Sequence, residues 1–235
     1  MRSQALQIPK LSLRLMPPAL LFAVLLAPPA MMYAAQDRQP AAQKAPQEKG
    51  PSAQQEFQAL LERVKKSDLT VDFGRMRQLQ TQLDDYDPYA SKIEEHPFEV
   101  LAKGDLQKAK TLAEAILAEN YLNLEAHIAA AAIAEKNGDA AGAAHHRYVV
   151  KGVLDSILGS GDGKTPQTAF QVIALSEEYA VMRRLGLRVA EQSLIHAGEH
   201  SYDLLKGVDP QSQTQREVFF NIDPIMKALD KELSH

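Results

Sequence analysis

The spacing of apolar residues along this chain changes character several times, and each change marks a boundary. The first signal is an unbroken apolar run over Ala19–Ala27, bracketed by Pro17-Pro18 and Pro28-Pro29. Arg2, Lys10 and Arg14 precede or border it, no acidic residue does, and the small residues Ala34 and Ala35 follow. This basic, apolar, small-residue order predicts a secretory signal peptide over residues 1–35. Met32 or Tyr33 stands where a small residue is preferred before cleavage. The run is shorter than the roughly 20 residues a membrane span needs, and its flanking prolines would break a longer helix. An uncleaved anchor is the alternative. Residues 36–54 are rich in Gln, Pro, Ala, Lys and Ser and lack any apolar period. Such a stretch cannot repay the entropy of ordering, so it is expected to be a disordered linker.

From Phe57 the period becomes that of a helix. Phe57, Leu60, Leu61 and Val64 share one face. A second helix is predicted over about Val71–Leu83, with Phe73, Met76 and Leu83 as core contacts, ending before Asp87-Pro88. Between Phe98 and Leu158 the pattern repeats. Gly104-Asp105 and Gly138-Asp139 lie 34 residues apart, and Ala109 and Ala143 keep that offset. Each glycine ends one helix and each aspartate caps the next. Thirty-four residues is the tetratricopeptide period. The match is degenerate: Ala113 and Arg147 stand where a large aromatic is usual, and Tyr121 and Asp155 where a closing proline is usual.

Thr165 and Pro166 are read as the N-cap and first position of a further helix running to about Leu185 and stopping at Gly186. Beyond it the period falls to two. Val189–His196, Ser201–Val208 and Glu217–Ile222 read as three short strands, and Asp223-Pro224 opens a last short helix. The expected fold is mainly α: tetratricopeptide-like antiparallel hairpins, with a core at about 98–158, followed by a small three-stranded antiparallel meander and a C-terminal helix. One domain over residues 55–235 is long enough to bury a core without staples.

Charge narrows the functional classes. Removing the three basic residues of the leader from 26 leaves 23 against 30 acidic, a net charge of −7. With no basic cluster, such a domain is a poor partner for nucleic acid or anionic lipid. Neither nucleic-acid binding nor membrane insertion after signal removal is expected. Cysteine is absent, so no disulfide and no thiolate chemistry is available. Tryptophan is absent too, which argues against an aromatic-lined carbohydrate groove.

Candidate chemistry is sparse. The loop Ser160-Gly-Asp-Gly-Lys-Thr165 has the composition of a phosphate loop but not its spacing, because Leu158 stands where the first glycine belongs. Asp162 lacks the carboxylate partners of a calcium loop. The loop is either a plain turn or, through free amides beside Lys164, an anion cradle. Glu177 falls on the stripe of Phe170, Ile173, Ala174 and Val181. A carboxylate there must be paired, for example with Lys164, Arg183 or Arg184, or serve a cavity together with Glu178. His127 shares a face with Ala130, Ala131 and Ala134, while His145 and His146 point about 100° apart and cannot clamp one metal as a pair. His196 and His200 straddle Gly198 in a turn. A zinc site from His127, His145 and a distant carboxylate is geometrically open, but nothing requires it; no metal and no cofactor are expected.

The order Asp72-Phe73, Tyr86-x-Pro88-Tyr89, His127, His145, Ser160-Gly-Asp-Gly-Lys, Ala169-Phe170, Glu177-Glu-Tyr179, Tyr202-Asp203 and Phe220-Asn-Ile222 resembles bacterial domain-of-unknown-function family 4919 over about residues 70–223. The resemblance implies an exported or envelope-associated bacterial protein and carries no activity. The preferred functional reading is a helical-repeat-like module of the cell envelope that binds a protein or peptide partner and sits in the periplasm or is secreted. The alternative is a small-ligand binder or hydrolytic enzyme gathering His127, Asp162, Lys164, Glu177 and Glu178, with Glu177 as base. A third reading is a periplasmic immunity protein. The candidate binding residues are His127, His145, Ser160, Asp162, Lys164, Glu177 and Glu178.

Overall fold

A computed structural model describes residues 50–89, 93 and 95–234. The predicted leader and residues 36–49 of the predicted linker lie outside these residues. Helix α1 (Ala53–Lys65) begins two residues inside that linker because Ser52 and Gln55 cap it reciprocally, each side chain taking the other's backbone amide. Helix α2 (Phe73–Gln80) is capped by Asp72, whose carboxylate accepts from Arg75 N–H at 2.9 Å. It ends short of the expected Leu83, which lies in the turn that follows.

Four helices fill the expected repeat region: α3 (Pro97–Ala102), α4 (Leu106–Glu119), α5 (Leu124–Lys136) and α6 (Ala140–Leu158). The α3–α4 and α5–α6 turns are built alike. Gly104 and Gly138 take φ of +88° and +73°. Their amides reach back to Leu101 O and Glu135 O, and the next amides, of Asp105 and Asp139, reach Val100 O and Ala134 O. That is the Schellman arrangement. Asp105 and Asp139 then cap α4 and α6 through the amides of Lys108 and Gly142. Neighbouring helices approach closely across Ala109, Ala113, Ala126, Ala129 and Ala143, all of them buried.

The stretch expected to be one helix from Pro166 to Leu185 divides into three. A 3₁₀ turn (Pro166–Thr168) leads into a two-residue strand β1 (Phe170–Gln171), and only then does helix α7 (Leu175–Arg184) start. Thr165 makes no side-chain cap bond. Strand β1 pairs parallel with β4 (Gln215–Asn221), so Phe170 enters the core from a sheet and not from a helix face, and Val172, just past the strand, is buried with its N–H on Asn221 O. Strands β2 (Arg188–Ala197) and β3 (His200–Val208) pair antiparallel, as do β3 and β4. The sheet therefore has four strands in mixed orientation, order β1-β4-β3-β2, one strand more than the expected meander. Helix α8 (Asp223–Leu233) closes the described chain. Asp223 does not cap it by side chain; it accepts instead from Ser201 N–H and faces His200.

The main core joins α1, α2 and α6 to α7, the sheet and α8. A smaller apolar cluster, Val100, Ala109 and Ile133, holds α3, α4 and α5 together.

Candidate functional site

The stripe Gln54, Phe57, Gln58, Leu61 and Lys65 recurs at helical spacing along α1 and forms one wall of a groove of about 960 Å³. The C-terminal end of α4, with Glu114, Leu117 and Ala118, and the turn residues Asn120 and Tyr121 form the second. Gln80, Leu83 and Asp85–Asp87, on the exit from α2, form the third. The floor is apolar (Phe57, Leu61, Leu83, Tyr86, Leu117), and among the described residues the rim carries Asp85, Asp87, Glu114, Glu119 and Lys65. On the far side of the segment 81–89 a second hollow of about 820 Å³ opens against α8. That segment is pinned in place: Tyr86 Oη donates to Ile173 O at 2.5 Å, and Leu175 N–H donates to Pro88 O at 3.3 Å.

Glu177 is buried beside this region, and its partner is Arg77 of α2, not Lys164, Arg183 or Arg184. The guanidinium holds the carboxylate in a fork, Nε to Oε1 at 3.1 Å and Nη2 to Oε2 at 2.7 Å. Oε2 also accepts from Ile173 N–H, while Arg77 donates further to Gln171 O and Ser156 Oγ. Both side chains are buried, and the hollow beside Glu177 holds about 10 Å³, scarcely one water. A carboxylate already sharing three donors has no free face for a substrate proton. Sequence reading passed over Arg77, yet the same logic finds it: Phe73, Met76, Arg77 and Gln80 fall on one helical face.

Glu178 points the other way, into the face of the sheet. It is fully buried. Burial, with Asp203 close by, pushes its carboxyl up to about 9, so it is protonated at neutral pH. Gln192 Nε2 bridges the two acids, at 2.6 Å from Asp203 Oδ2 and 3.5 Å from Glu178 Oε2, and Tyr179 Oη donates to the same glutamine. Glu178 Oε1 has no partner.

The histidines form a chain with Tyr121 at its centre. His127 Nε2 donates to Tyr121 O at 2.7 Å. Its Nδ1 must then accept, and it meets His146 Nδ1 at 2.8 Å. Burial drives His127 down to about 3, so it is neutral. His145 sits between Tyr121 Oη and Ser67 Oγ, each at 2.8 Å. Ser67 holds a left-handed φ of +56° after α1. Among the described residues, no group of three or more His, Cys, Asp or Glu is placed to hold a metal ion.

The glycine loop uses its amides internally. Asp162 and Gly163 N–H both donate to Thr168 O, and Lys164 N–H donates to Asp162. Thr168 Oγ1 and the Lys164 ammonium close on the same carboxylate, holding it down at about 2. A side chain at Gly163 would strike Phe170 and one at Gly161 would strike Thr168 O, and Gly163 O takes Phe219 N–H of β4. Glycine is required here for packing against the sheet, and an anion would find these amides already engaged.

The candidate residues thus have four sets of partners: His127 and His145 around Tyr121, Asp162 and Lys164 within the loop, Glu177 on Arg77, Glu178 on Asp203. One link joins two sets, since Ser160 Oγ accepts from Gln171 N–H, whose carbonyl accepts from Arg77. The groove is the larger of the two open hollows described above; its Phe57 and Leu61 were read from sequence only as part of a core face, and Glu114, Leu117 and Ala118 of α4 were not singled out.

Fold and groove together define a helical-hairpin protein closed at one side by a mixed sheet. The chain belongs to the family described as domain of unknown function (DUF4919), whose profile matches residues 48–231. No curated protein and no solved structure matches it. Several of the landmarks Tyr86, Pro88, Phe170, Glu177, Glu178, Asp203 and Phe220 meet where α7 joins the sheet.

Proposed function

We propose that this is an exported bacterial protein whose tetratricopeptide-like hairpins serve as a protein- or peptide-binding module of the cell envelope, with the groove between α1, α4 and the segment 80–87 as the binding surface. The carrying observation is the groove: a hollow of about 960 Å³ with aromatic and aliphatic side chains on its floor and polar ones on its rim. Such a surface has the anatomy of a recognition site, an apolar centre that excludes water and a solvated edge. Export rests on the leader pattern, and the hairpin label on the 34-residue spacing of two identically built turns. The enzyme reading loses support because Glu177 and Asp162 are engaged by Arg77 and Lys164.

A benzophenone amino acid placed at Gln58, within the groove, tests the reading in living cells against the same group at Gln215 on the sheet. The expected outcome is a discrete cross-linked adduct from position 58 alone. Identical adducts from both positions, or none from either, would remove the groove as a binding surface.

A further inference from the structure

The groove has a charge preference built into its walls, and we infer that its occupant is a cationic segment, one that presents lysine or arginine beside an apolar anchor. The inference rests on the reading of the groove as a binding surface and adds the chemistry of the partner. Among the described residues, Asp85 and Asp87 line one wall and Glu114 another, against one lysine that is itself paired with Glu62. Glu114 is shared with Lys110 at 3.7 Å, and one oxygen of Asp87 takes Tyr89 N–H. Neither interaction withdraws the acid's field from the hollow.

The backbone acts in the same direction. Helix α4 ends in the groove, and its last turn contains no basic residue. The carbonyl end of a helix favours cations. Lys65 Nζ is held by Glu62 at 3.1 Å and stands 5.9 Å from the centre of the Tyr121 ring, so an aromatic ring already meets a cation at this wall. Below this polar tier, the half-buried Leu83, Tyr86 and Leu117 offer a place for an aliphatic or aromatic anchor above the buried Phe57 and Leu61.

The test uses the full chain and three fluorescein-labelled decapeptides of leucine, glycine and one polar residue: lysine, glutamate or glutamine. Fluorescence anisotropy is expected to show the lysine peptide binding at least about ten-fold more tightly than the glutamate peptide, with affinity falling as salt rises. Asp85→Lys combined with Glu114→Lys, both at exposed positions, is expected to reverse that order while leaving the far-ultraviolet circular dichroism melt unchanged. Equal binding of all three peptides, with a Leu117→Arg variant of unchanged melt binding none, would overturn the charge preference and leave the groove standing. Binding of no peptide, or binding that Leu117→Arg does not disturb, would overturn both.

Discussion

Arg77 and Glu177 stand 100 positions apart in the chain and meet in the core through two hydrogen bonds. Removing one member strands the other's charge in a dry site. Arg77→Met is therefore expected to lower the urea-unfolding free energy by about 3–5 kcal/mol. Replacing both, Arg77→Met with Glu177→Leu, should recover most of that loss; if the double variant is as unstable as the single one, the pair is not the cause. Two other buried groups shape the response to pH. Glu178 binds its proton in the native state up to about 9 but releases it near 4.5 when unfolded, so stability falls as pH rises between those values. By pH 7 the loss is on the order of 3 kcal/mol. His127 works at the acid side. Its native pKa of about 3 lies below its ordinary 6.5, so stability falls as pH drops below 6.5. Unfolding measured from pH 4 to 9 should show a plateau between the two ordinary values. Glu178→Gln should flatten the alkaline slope and leave the acid one. Burial of Glu177 was legible from its place among apolar residues, but its partner was not, because no local spacing relates positions so distant in the chain.

The helix ends show what short-range pattern can specify. Gly104 and Gly138 need a left-handed backbone, Asp105 and Asp139 need an adjacent amide, and all the partners lie within five residues. The turns could be read for that reason. Thr165-Pro166 carries a similar start signal, yet a strand follows it, because pairing of β1 with β4 near position 220 decides the conformation of Phe170. Tertiary context overrides propensity where a segment is short. Packing between elements makes a further demand at Gly152 of α6, where the Phe73 ring of α2 occupies the place of a Cβ, 2.2 Å from its ideal position. Alanine is worth about 1 kcal/mol over glycine in a helix interior. At this position the clash outweighs that gain, and Gly152→Ala is expected to cost a net 1–3 kcal/mol, roughly. A lowered melting temperature, rescued in part by Phe73→Leu, is the outcome to look for in thermal unfolding; a raised one would show that the ring can move aside.

At the scale of the molecule, the hairpins bring alanines to the seams between their helices. Those alanines are buried against one another, so the faces are filled. The hollow lies elsewhere, between α1, the end of α4 and the pinned segment 80–87. Its charge preference and its use in cells are tested by the peptide series and the cross-link at Gln58. No helix among the described residues is long and apolar enough to cross a membrane. The amino-acid sequence alone determined the helix boundaries at the repeated turns, the three strands of period two, the core faces of α1 and α2 and the family, because each depends on residues within a few positions or on an ordered set of landmarks. Tertiary structure alone decided the parallel strand β1, the Arg77 partner of Glu177, the proton held on Glu178 beside Asp203, and the groove. Each of these arises where segments far apart in the chain exclude water from the same volume, and neither burial nor enclosure is a property of one segment.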